Sequence, residues 1–266
     1  MPRNQIKAEI ISQTHLAQDT FILKVSAMEI ASTARPGQFC MVGTNPSNLY
    51  DPLLNRPLSI FDVNSDGSIS FLYKVVGRGT KILALKKEKE CLNLIGPLGT
   101  GFKAKTDQPA LFIGGGMGIA PLYFLSKFYK WEKPTVFLLG LATYHGFEDL
   151  IKSFEKVGEK LFISTDDGTF GHKGFVTSLI DDGLTYINSK KSKELPVIYC
   201  CGPWPMMKKV HNIAESYNFE CQVSLEARMA CGTGLCLGCA MPKKEDGYLH
   251  VCKQGPVFNS KVVLWQ

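Results

Sequence analysis

Near residue 108 the hydrophobic pattern of this 266-residue chain changes character, and that change restricts the fold more than any other feature. Upstream, short apolar–polar alternations at 5–13, 20–26, 37–43, 56–63, 68–76 and 91–95 are separated by turn sequences such as Asn64-Ser65-Asp66-Gly67. A period of two buries one face of a strand and wets the other, so these six runs predict a small antiparallel barrel. One short helix is expected near 79–87. Downstream, near-continuous apolar runs at 111–116, 135–142, 160–165 and 197–202 alternate with helical stretches at 121–131, 147–156, 174–182 and 204–217. Leu122, Leu125, Phe128 and Tyr129, for example, share one helix face. Strands apolar on both faces, alternating with helices, predict a parallel sheet covered on both sides. The run 221–226 adds a last strand, and 227–266 is short, Gly- and Cys-rich and poor in core residues. The expected architecture is multi-domain, β plus α/β. It places a six-stranded antiparallel β-barrel over 1–104, a parallel-sheet α/β domain over 105–222 and a small cysteine-rich segment over 223–266.

That last segment carries the sharpest motif. Cys231, Cys236, Cys239 and Cys252 are spaced C-x4-C-x2-C-x12-C, and the x4 and x2 gaps match the plant-type [2Fe–2S] pattern. Four thiolates can also close a structural zinc site, but such sites usually pair two C-x2-C knuckles, and this chain has one. The spacing favours iron–sulfur, and such a centre moves electrons singly, which points to a redox protein. Gly232, Gly234 and Gly238 interleave the cysteines and permit the tight wrapping that aims backbone N–H groups at sulfur. A segment with so little core must draw much of its folding energy from the metal.

Composition excludes several other classes. The formal charge of +6 is spread out, and the densest basic run, Lys86, Lys87 and Lys89, is interrupted by Glu88 and Glu90. That pattern reads as a solvated helix end, not a nucleic-acid footprint. No apolar run approaches the ~20 residues of a bilayer span, and residues 1–10 lack the apolar core of a secretory peptide. Nine cysteines, an odd count with four clustered, argue against a secreted disulfide scaffold. Cys40, Cys91, Cys200, Cys201 and Cys221 read as buried free thiols, and the expected compartment is the cytoplasm.

Three further motifs point to ligands. Gly114-Gly115-Gly116-Met117-Gly118 follows a strand and opens a helix, where glycines admit a pyrophosphate to helix N–H donors or simply allow tight strand–helix packing. Cys201-Gly202-Pro203 ends a later strand of the same sheet, at the edge where open α/β sheets hold ligands. Alone, it also reads as a strand terminator before a helix. On a barrel strand, Arg56-Pro57-Leu58-Ser59 offers a guanidinium fork suited to a diphosphate. Downstream lie Tyr73-Lys74-Val75 and the turn Gly77-Arg78-Gly79-Thr80. In isolation each would pass for an ordinary surface Arg and a Gly-rich turn.

In order and spacing, RPLS, GRGT, GPLG (96–99), GGGMGIAPL and CCGP strongly resemble the ferredoxin–NADP reductase-like family. With ARMACGTGLCLGCA (227–240) and the distal cysteine added, the resemblance narrows to the electron-transfer subunits of NAD-dependent dihydroorotate dehydrogenase B, over essentially the whole chain. The resemblance implies an FAD-binding barrel whose flavin meets Arg56, Pro57, Leu58 and Ser59, then Tyr73, Lys74 and Val75, then Gly79 and Thr80. It implies an NAD-binding α/β domain in which Gly114, Gly115, Gly116 and Gly118 face the dinucleotide and Cys201, Gly202 and Pro203 lie at its nicotinamide end. Cys231, Cys236, Cys239 and Cys252 are then the cluster ligands. Where NADP-using relatives carry Ser-Arg, this chain has Thr165-Asp166-Asp167. A carboxylate such as Asp166 accepts from ribose hydroxyls and repels a 2′-phosphate, which favours NAD(H), although Asp-Asp-Gly is also a common turn.

The implied activity is electron transfer from dihydroorotate, through FMN on a catalytic partner subunit, the cluster and FAD, to NAD+, in pyrimidine biosynthesis. No orotate site and no FMN barrel is legible in 266 residues, so a partner chain is expected, in a heterotetramer of two plus two chains. No residue is expected to act as catalytic acid or base, and His172 and His250 read as surface or packing residues. The rivals are a subunit serving ferredoxin, a hydrogenase or a sulfur reductase, and a non-catalytic zinc-binding interaction module.

Overall fold

A computed structural model describes residues 4–17, 19–44 and 51–266. Strands β1 (Asn4–Ala17), β2 (Thr20–Ser26), β3 (Phe39–Gly43), β4 (Arg56–Val63), β5 (Ser68–Lys74) and β6 (Cys91–Leu98) close into an antiparallel barrel in the order β1-β2-β5-β4-β3-β6. Residues such as Ile10, Leu23, Val25, Val42, Ile60, Phe71 and Leu94 are fully buried and form its core. Helix α1 (Met28–Ala31) follows β2, and α2 (Arg78–Ala84) lies between β5 and β6. Gln13 on β1 donates to the carbonyls of Leu83, Ala84 and Lys86, satisfying acceptors that a helix end leaves open. Cys91 departs from expectation. It opens β6 at the barrel edge, and its thiol is exposed rather than buried.

The second domain is a seven-stranded sheet. Its parallel strands are β7 (Ala110–Gly115), β8 (Thr135–Leu141), β9 (Lys160–Thr165), β10 (His172–Lys173), β11 (Val197–Cys201) and β12 (Glu220–Ser224). Helices α3 (Ile119–Phe128), α4 (Glu148–Val157), α5 (Ile180–Ser189) and α6 (Trp204–Ser216) cover it. From β7 the chain runs outward through β8, β9 and β10, then returns to lay β11 on the other side of β7. The order therefore reverses between β7 and β11, and the crevice at their carboxyl ends is where such sheets bind ligands. Helix α5 begins later than the 174–182 periodicity predicts. A buried 3-10 turn, Val176–Leu179, precedes it, and Asp181 and Asp182 then favour a helix N-terminus.

After β12 come β13 (Ala240–Pro242), β14 (Tyr248–His250) and β15 (Val257–Asn259). They are too short to leave a periodic signal. Strand β15 pairs antiparallel with β12, Gln222 opposite Asn259, so the end of the chain returns to the main sheet. Leu249, Val251 and Val263 join a core shared with Met207, Val210 and Val223 of the sheet domain and Phe39, Met41 and Leu98 of the barrel. The barrel is also tied to the sheet domain through α3. Buried Asp62 accepts two bonds from Lys127 Nζ, at 2.8 and 2.7 Å, and Phe61 stacks on Tyr123 with centroids 4.7 Å apart.

A clasp of aromatic rings holds the C-terminus. Trp265 lies over Trp204, 4.7 Å away, and over His211, 5.4 Å away, and its indole donates to the Ser260 carbonyl at 2.9 Å. His211 Nδ1 stands 3.0 Å from Ser260 Oγ. Burial lowers the His211 pKa below its ordinary 6.5; Glu215 opposes the shift, while Lys244 and Lys261 add to it. Because the folded value lies below the unfolded one, stability is full above about pH 6.5 and declines as pH falls below it. Thermal unfolding between pH 7 and about 5 should therefore show a steeper loss for the wild type than for His211→Gln. Parallel slopes would remove His211 from the account.

Candidate functional site

Two cavities open on the crevice between β7 and β11. The larger, about 630 Å³, is lined by Gly115, Gly116, Gly140, Ser164, Asp166 and Pro203 among others. Gly116 has a φ of +55°, with nothing within 4 Å of the position its Cβ would take, so the backbone faces open space there. Gly115 lies beneath Pro203 and Met206, where a Cβ would come within 2.9 and 2.7 Å. The other two glycines of the turn do different work. A Cβ on Gly114 would press on Ile119 at 2.9 Å, and one on Gly118 would stand 2.2 Å from the Cys201 carbonyl oxygen. Gly114 and Gly118 thus permit close packing rather than line this cavity. Gly202, at φ +155°, lies against Gly115.

The Asp-Asp-Gly segment divides its labour too. Asp167 accepts from the amide and hydroxyl of Thr169, at 3.0 and 2.6 Å, and builds the turn. These bonds, the hydroxyl first, draw its carboxyl below the usual carboxylate range. Asp166 is fixed by its amide, which donates to the Leu141 carbonyl at 3.0 Å, and it lines the cavity.

The second cavity, about 340 Å³, forms where barrel, sheet and C-terminal segment meet. Its walls include Arg56, Pro57, Leu58 and Ser59 from β4, Tyr73 and Lys74 from β5, Thr80 from α2 and Cys201 from β11. Val75 and Gly79 are not among its lining residues. Gly79 instead lies under Arg56, and a Cβ there would stand 2.3 Å from Nε. Thr80 holds the turn before α2, its hydroxyl accepting from the amides of Val76 and Gly77 at 3.0 and 3.1 Å. Arg56 donates to the Leu54 carbonyl and has no acidic partner among the described residues. A guanidinium without a carboxylate, set beside an apolar floor of Phe39, Leu58 and Leu72, suits a ligand that joins a flat ring system to a diphosphate. These residues fit FAD.

Sequence reasoning missed the far wall, which is Met117 with Ser224, Leu225, Glu226, Ala227 and Met229. The signal was present in Cys221–Glu226, an apolar run leading straight into the cysteine motif. Glu226 is exposed at the cavity mouth, and burial, with the Glu226 carboxylate nearby, pushes the Cys201 thiol up to about 12.

Two residues after Met229 comes Cys231, the first cysteine of the motif. The four cysteines stand as two pairs. Cys239 Sγ and Cys252 Sγ are 3.2 Å apart and buried, and Cys231 Sγ accepts from the amides of Thr233 and Cys236 at 3.4 and 3.5 Å. Among the described residues no three His, Cys, Asp or Glu groups gather in single-ion geometry. Two thiol pairs fit a two-iron centre, whose irons take two protein ligands each, better than one tetrahedral zinc. Burial opposes the Cys231 thiolate, but the amides of Cys236 and Thr233 and their side chains outweigh it and draw the thiol down to about 5. Burial, with the Cys239 sulfur beside it, raises Cys252 to about 12. Gly232, at φ +67°, lets this loop lie on the barrel, since a Cβ would meet Met41 Cγ at 2.4 Å. The left-handed residue before the third cysteine is Leu237, at φ +58°, rather than Gly238. His172 and His250 line neither cavity.

Known proteins reproduce this combination. A family profile described as the iron-sulfur cluster binding domain of dihydroorotate dehydrogenase B matches residues 226–264. The dihydroorotate dehydrogenase B (NAD(+)) electron transfer subunit of Caldanaerobacter subterraneus subsp. tengcongensis is 36% identical, over 99% of this chain and 100% of its own. That of Clostridium acetobutylicum is 38% identical, over 86% of this chain and 87% of its own. A solved chain of the NADH-dependent reduced ferredoxin-NADP oxidoreductase, described for flavin-based electron bifurcation, superposes with a TM-score of 0.80 at 28% identity, covering 97% of this chain and 90% of that one. Barrel, sheet and cysteine segment are all spanned by these matches, and the chain belongs to the family of dihydroorotate dehydrogenase B (NAD(+)) electron transfer subunits.

Proposed function

We infer that this chain carries electrons between NAD(H) and a partner flavoenzyme through FAD and a [2Fe–2S] centre, in the oxidation of dihydroorotate to orotate. One observation carries the reading. Cys201 lines the flavin cavity and Pro203, two residues on, lines the dinucleotide cavity, while Met229 lines the flavin cavity and Cys231, two residues on, begins the cluster motif. Three sites are thus joined in series by two short stretches of backbone.

FAD supplies the exchange between two-electron and one-electron chemistry, and the protein supplies binding, orientation and electrostatics. Arg56 and the turn held by Thr80 take the diphosphate, with Pro57, Leu58, Ser59, Tyr73 and Lys74 beside the rest of the flavin. Val75 and Gly79 serve from behind, the glycine by making room for Arg56. Gly115, Gly116 and Asp166 receive NAD(H), with Gly114 and Gly118 shaping the turn. Cys201, Gly202 and Pro203 bring its reactive end to the cavity boundary. Buried Phe39, Leu72, Tyr73 and Leu225 keep water from the floor of the flavin cavity, with half-buried Met117 and Met229 beside them. Cys231, Cys236, Cys239 and Cys252 hold the iron centre, and Cys236 is its exposed corner.

In this scheme 1–104 binds FAD, 105–222 binds NAD and 223–266 binds the cluster. The dihydroorotate-oxidising site belongs to an FMN-containing partner subunit, in a heterotetramer of two plus two chains. We place the assembly in the cytoplasm, where thiols stay reduced; among the described residues no helix is long and apolar enough to cross a membrane. The bifurcating enzyme whose chain superposes on this one favours a second reading, in which the partner handles ferredoxin.

Purified from aerobic or anaerobic culture, the chain should show flavin and [2Fe–2S] absorption together, with about two irons per chain. NADH should bleach both bands, and dihydroorotate should do so only after an FMN-type dihydroorotate oxidase subunit is added. Stoichiometric zinc without flavin would establish the interaction-module alternative, and bleaching by reduced ferredoxin with no response to the oxidase would establish the second reading. Gly79→Ala, by displacing Arg56, should lower FAD content severalfold while leaving iron content at the wild-type level. Full FAD occupancy in that variant would detach Arg56 from flavin binding.

A further inference from the structure

Apart from Asp166, one charged side chain lines the 630 Å³ cavity, and neither motif nor fold class accounts for it. Lys209 stands in α6, whose Pro205, Met206 and Lys209 all line the cavity. Spacings of three and four residues put these side chains on one helical face, so the lysine belongs to the same wall as the two apolar residues. Asp166 enters from the end of β9.

Lys209 and Asp166 carry opposite charge and share one cavity, yet they form no ion pair with each other or with any other described residue. Lys208, beside Lys209 on α6, likewise forms no ion pair among the described residues but does not line the cavity, and two other lysines find carboxylates. Lys190 pairs with Glu159, and Lys261 pairs with Glu215 on α6 itself. The rest of the lining is glycine, apolar side chains such as Leu141, Val176 and Pro203, and two uncharged hydroxyl residues, Ser164 and Thr177. A cavity that presents one cation and one carboxylate without letting them neutralise each other matches a ligand with an anion at one point and hydroxyl donors at another. A ribosyl phosphate has that distribution.

We propose that Lys209 binds a phosphate of the dinucleotide while Asp166 accepts from a ribose hydroxyl. The proposal rests on NAD(H) being the occupant of this cavity, and it names a specificity-determining residue within it. An ammonium is a mobile point charge on a long stem, so it can follow a phosphate across an open cavity without the fixed geometry that a guanidinium demands. Two phosphate sources share this chemistry, the pyrophosphate common to NAD(H) and NADP(H), and the 2′-phosphate of NADP(H) alone. With Asp166 close by, the pyrophosphate is the source the charges favour, because a 2′-phosphate on the ribose would face the carboxylate.

The test uses the flavin- and cluster-loaded chain and three redox-inert probes: adenosine, ADP-ribose and 2′-phospho-ADP-ribose. Lys209→Met should weaken ADP-ribose about tenfold, the scale of one charge-assisted hydrogen bond, leave adenosine unchanged and flatten the salt dependence of ADP-ribose binding. Lys209→Arg should retain most of the affinity. An equal loss for 2′-phospho-ADP-ribose assigns the contact to the pyrophosphate, and a larger loss for that probe assigns it to the 2′-phosphate; either supports the proposal. In NADH turnover with a one-electron dye, KM should rise with kcat unchanged. Wild-type affinity and salt slope for both ADP-ribose and 2′-phospho-ADP-ribose in Lys209→Met would overturn it. Failure is separable from failure of the wider reading. If wild-type protein with intact flavin and iron bands binds none of the probes, the cavity is not a dinucleotide site, and both proposals fall.

Discussion

The approach of Gly118 to the Cys201 carbonyl is the contact on which the arrangement of sites depends. A Cβ at Gly118 would stand 2.2 Å from that oxygen, so the first turn leading into α3 rests directly on the end of β11. These two chain segments flank the point where strand order reverses. Pulled together, they bring Met117 and Cys201 to the flavin cavity and Gly115, Gly116 and Pro203 to the dinucleotide cavity. Any side chain at Gly118 would push the turn away and widen the boundary across which the two ligands must meet. Hydride exchange needs reacting atoms held at near-contact distance, so on the proposed assignment of the two cavities this small residue sets the geometry of a step it does not touch.

A second constraint comes from size. The C-terminal segment is too small to bury a core alone, and it solves that problem by adding β15 to the sheet and Leu249, Val251 and Val263 to the neighbouring core. The metal is therefore not its sole source of folding energy. The same docking fixes the cysteine loop against Met41 of the barrel, through Gly232, and carries residues 224–229 along the flavin cavity. A separately tethered cluster domain would have left the distance between flavin and iron variable. Here stability and electron-transfer geometry follow from one set of contacts.

Most of the fold was legible because its signals are periodic. Alternation located the barrel strands, and long apolar runs located β7, β8, β9 and β11 within about a residue. What escaped lacks a period. Strands β10, β13, β14 and β15 are two or three residues long, and pairing across the chain, not local sequence, makes them strands. At the cavities, the glycine, RPLS and Cys-Gly-Pro motifs fall on segments that line the walls but do not assign work within them. Gly115 and Gly116 line a cavity while Gly114 and Gly118 pack, and Asp166 lines a cavity while Asp167 closes a turn. Neighbouring residues take opposite roles because side-chain direction, which spacing does not encode, decides between them. Lys209 and Glu226 went unnoticed for the same reason: each is an ordinary residue type until the fold aims it into a cavity.

The nine cysteines show how environment separates chemistry within one residue type. Cys40, Cys200, Cys201 and Cys221 are buried, and desolvation raises all four thiols, Cys201 and Cys221 to about 12. They are protonated, poor nucleophiles and poor metal ligands, which suits residues that pack beside redox cofactors without competing for iron. Cys231 also bears a desolvation cost, yet two backbone amides aimed at its sulfur reverse the outcome and lower it to about 5. Those amides are available because the loop cannot satisfy them within a helix or sheet, a consequence of the left-handed turns at Gly232, Gly234 and Leu237. Metal binding requires thiolate, so a loop that already stabilises one suits the role proposed for Cys231. Cys239 and Cys252 sit 3.2 Å apart in a buried pair, the Cys239 thiol donating to the Cys252 sulfur, and burial with that neighbour raises Cys252 to about 12. One side of the motif is thus a half-exposed cysteine whose thiolate the loop amides stabilise, and the other a buried pair that desolvation keeps in the thiol form at Cys252.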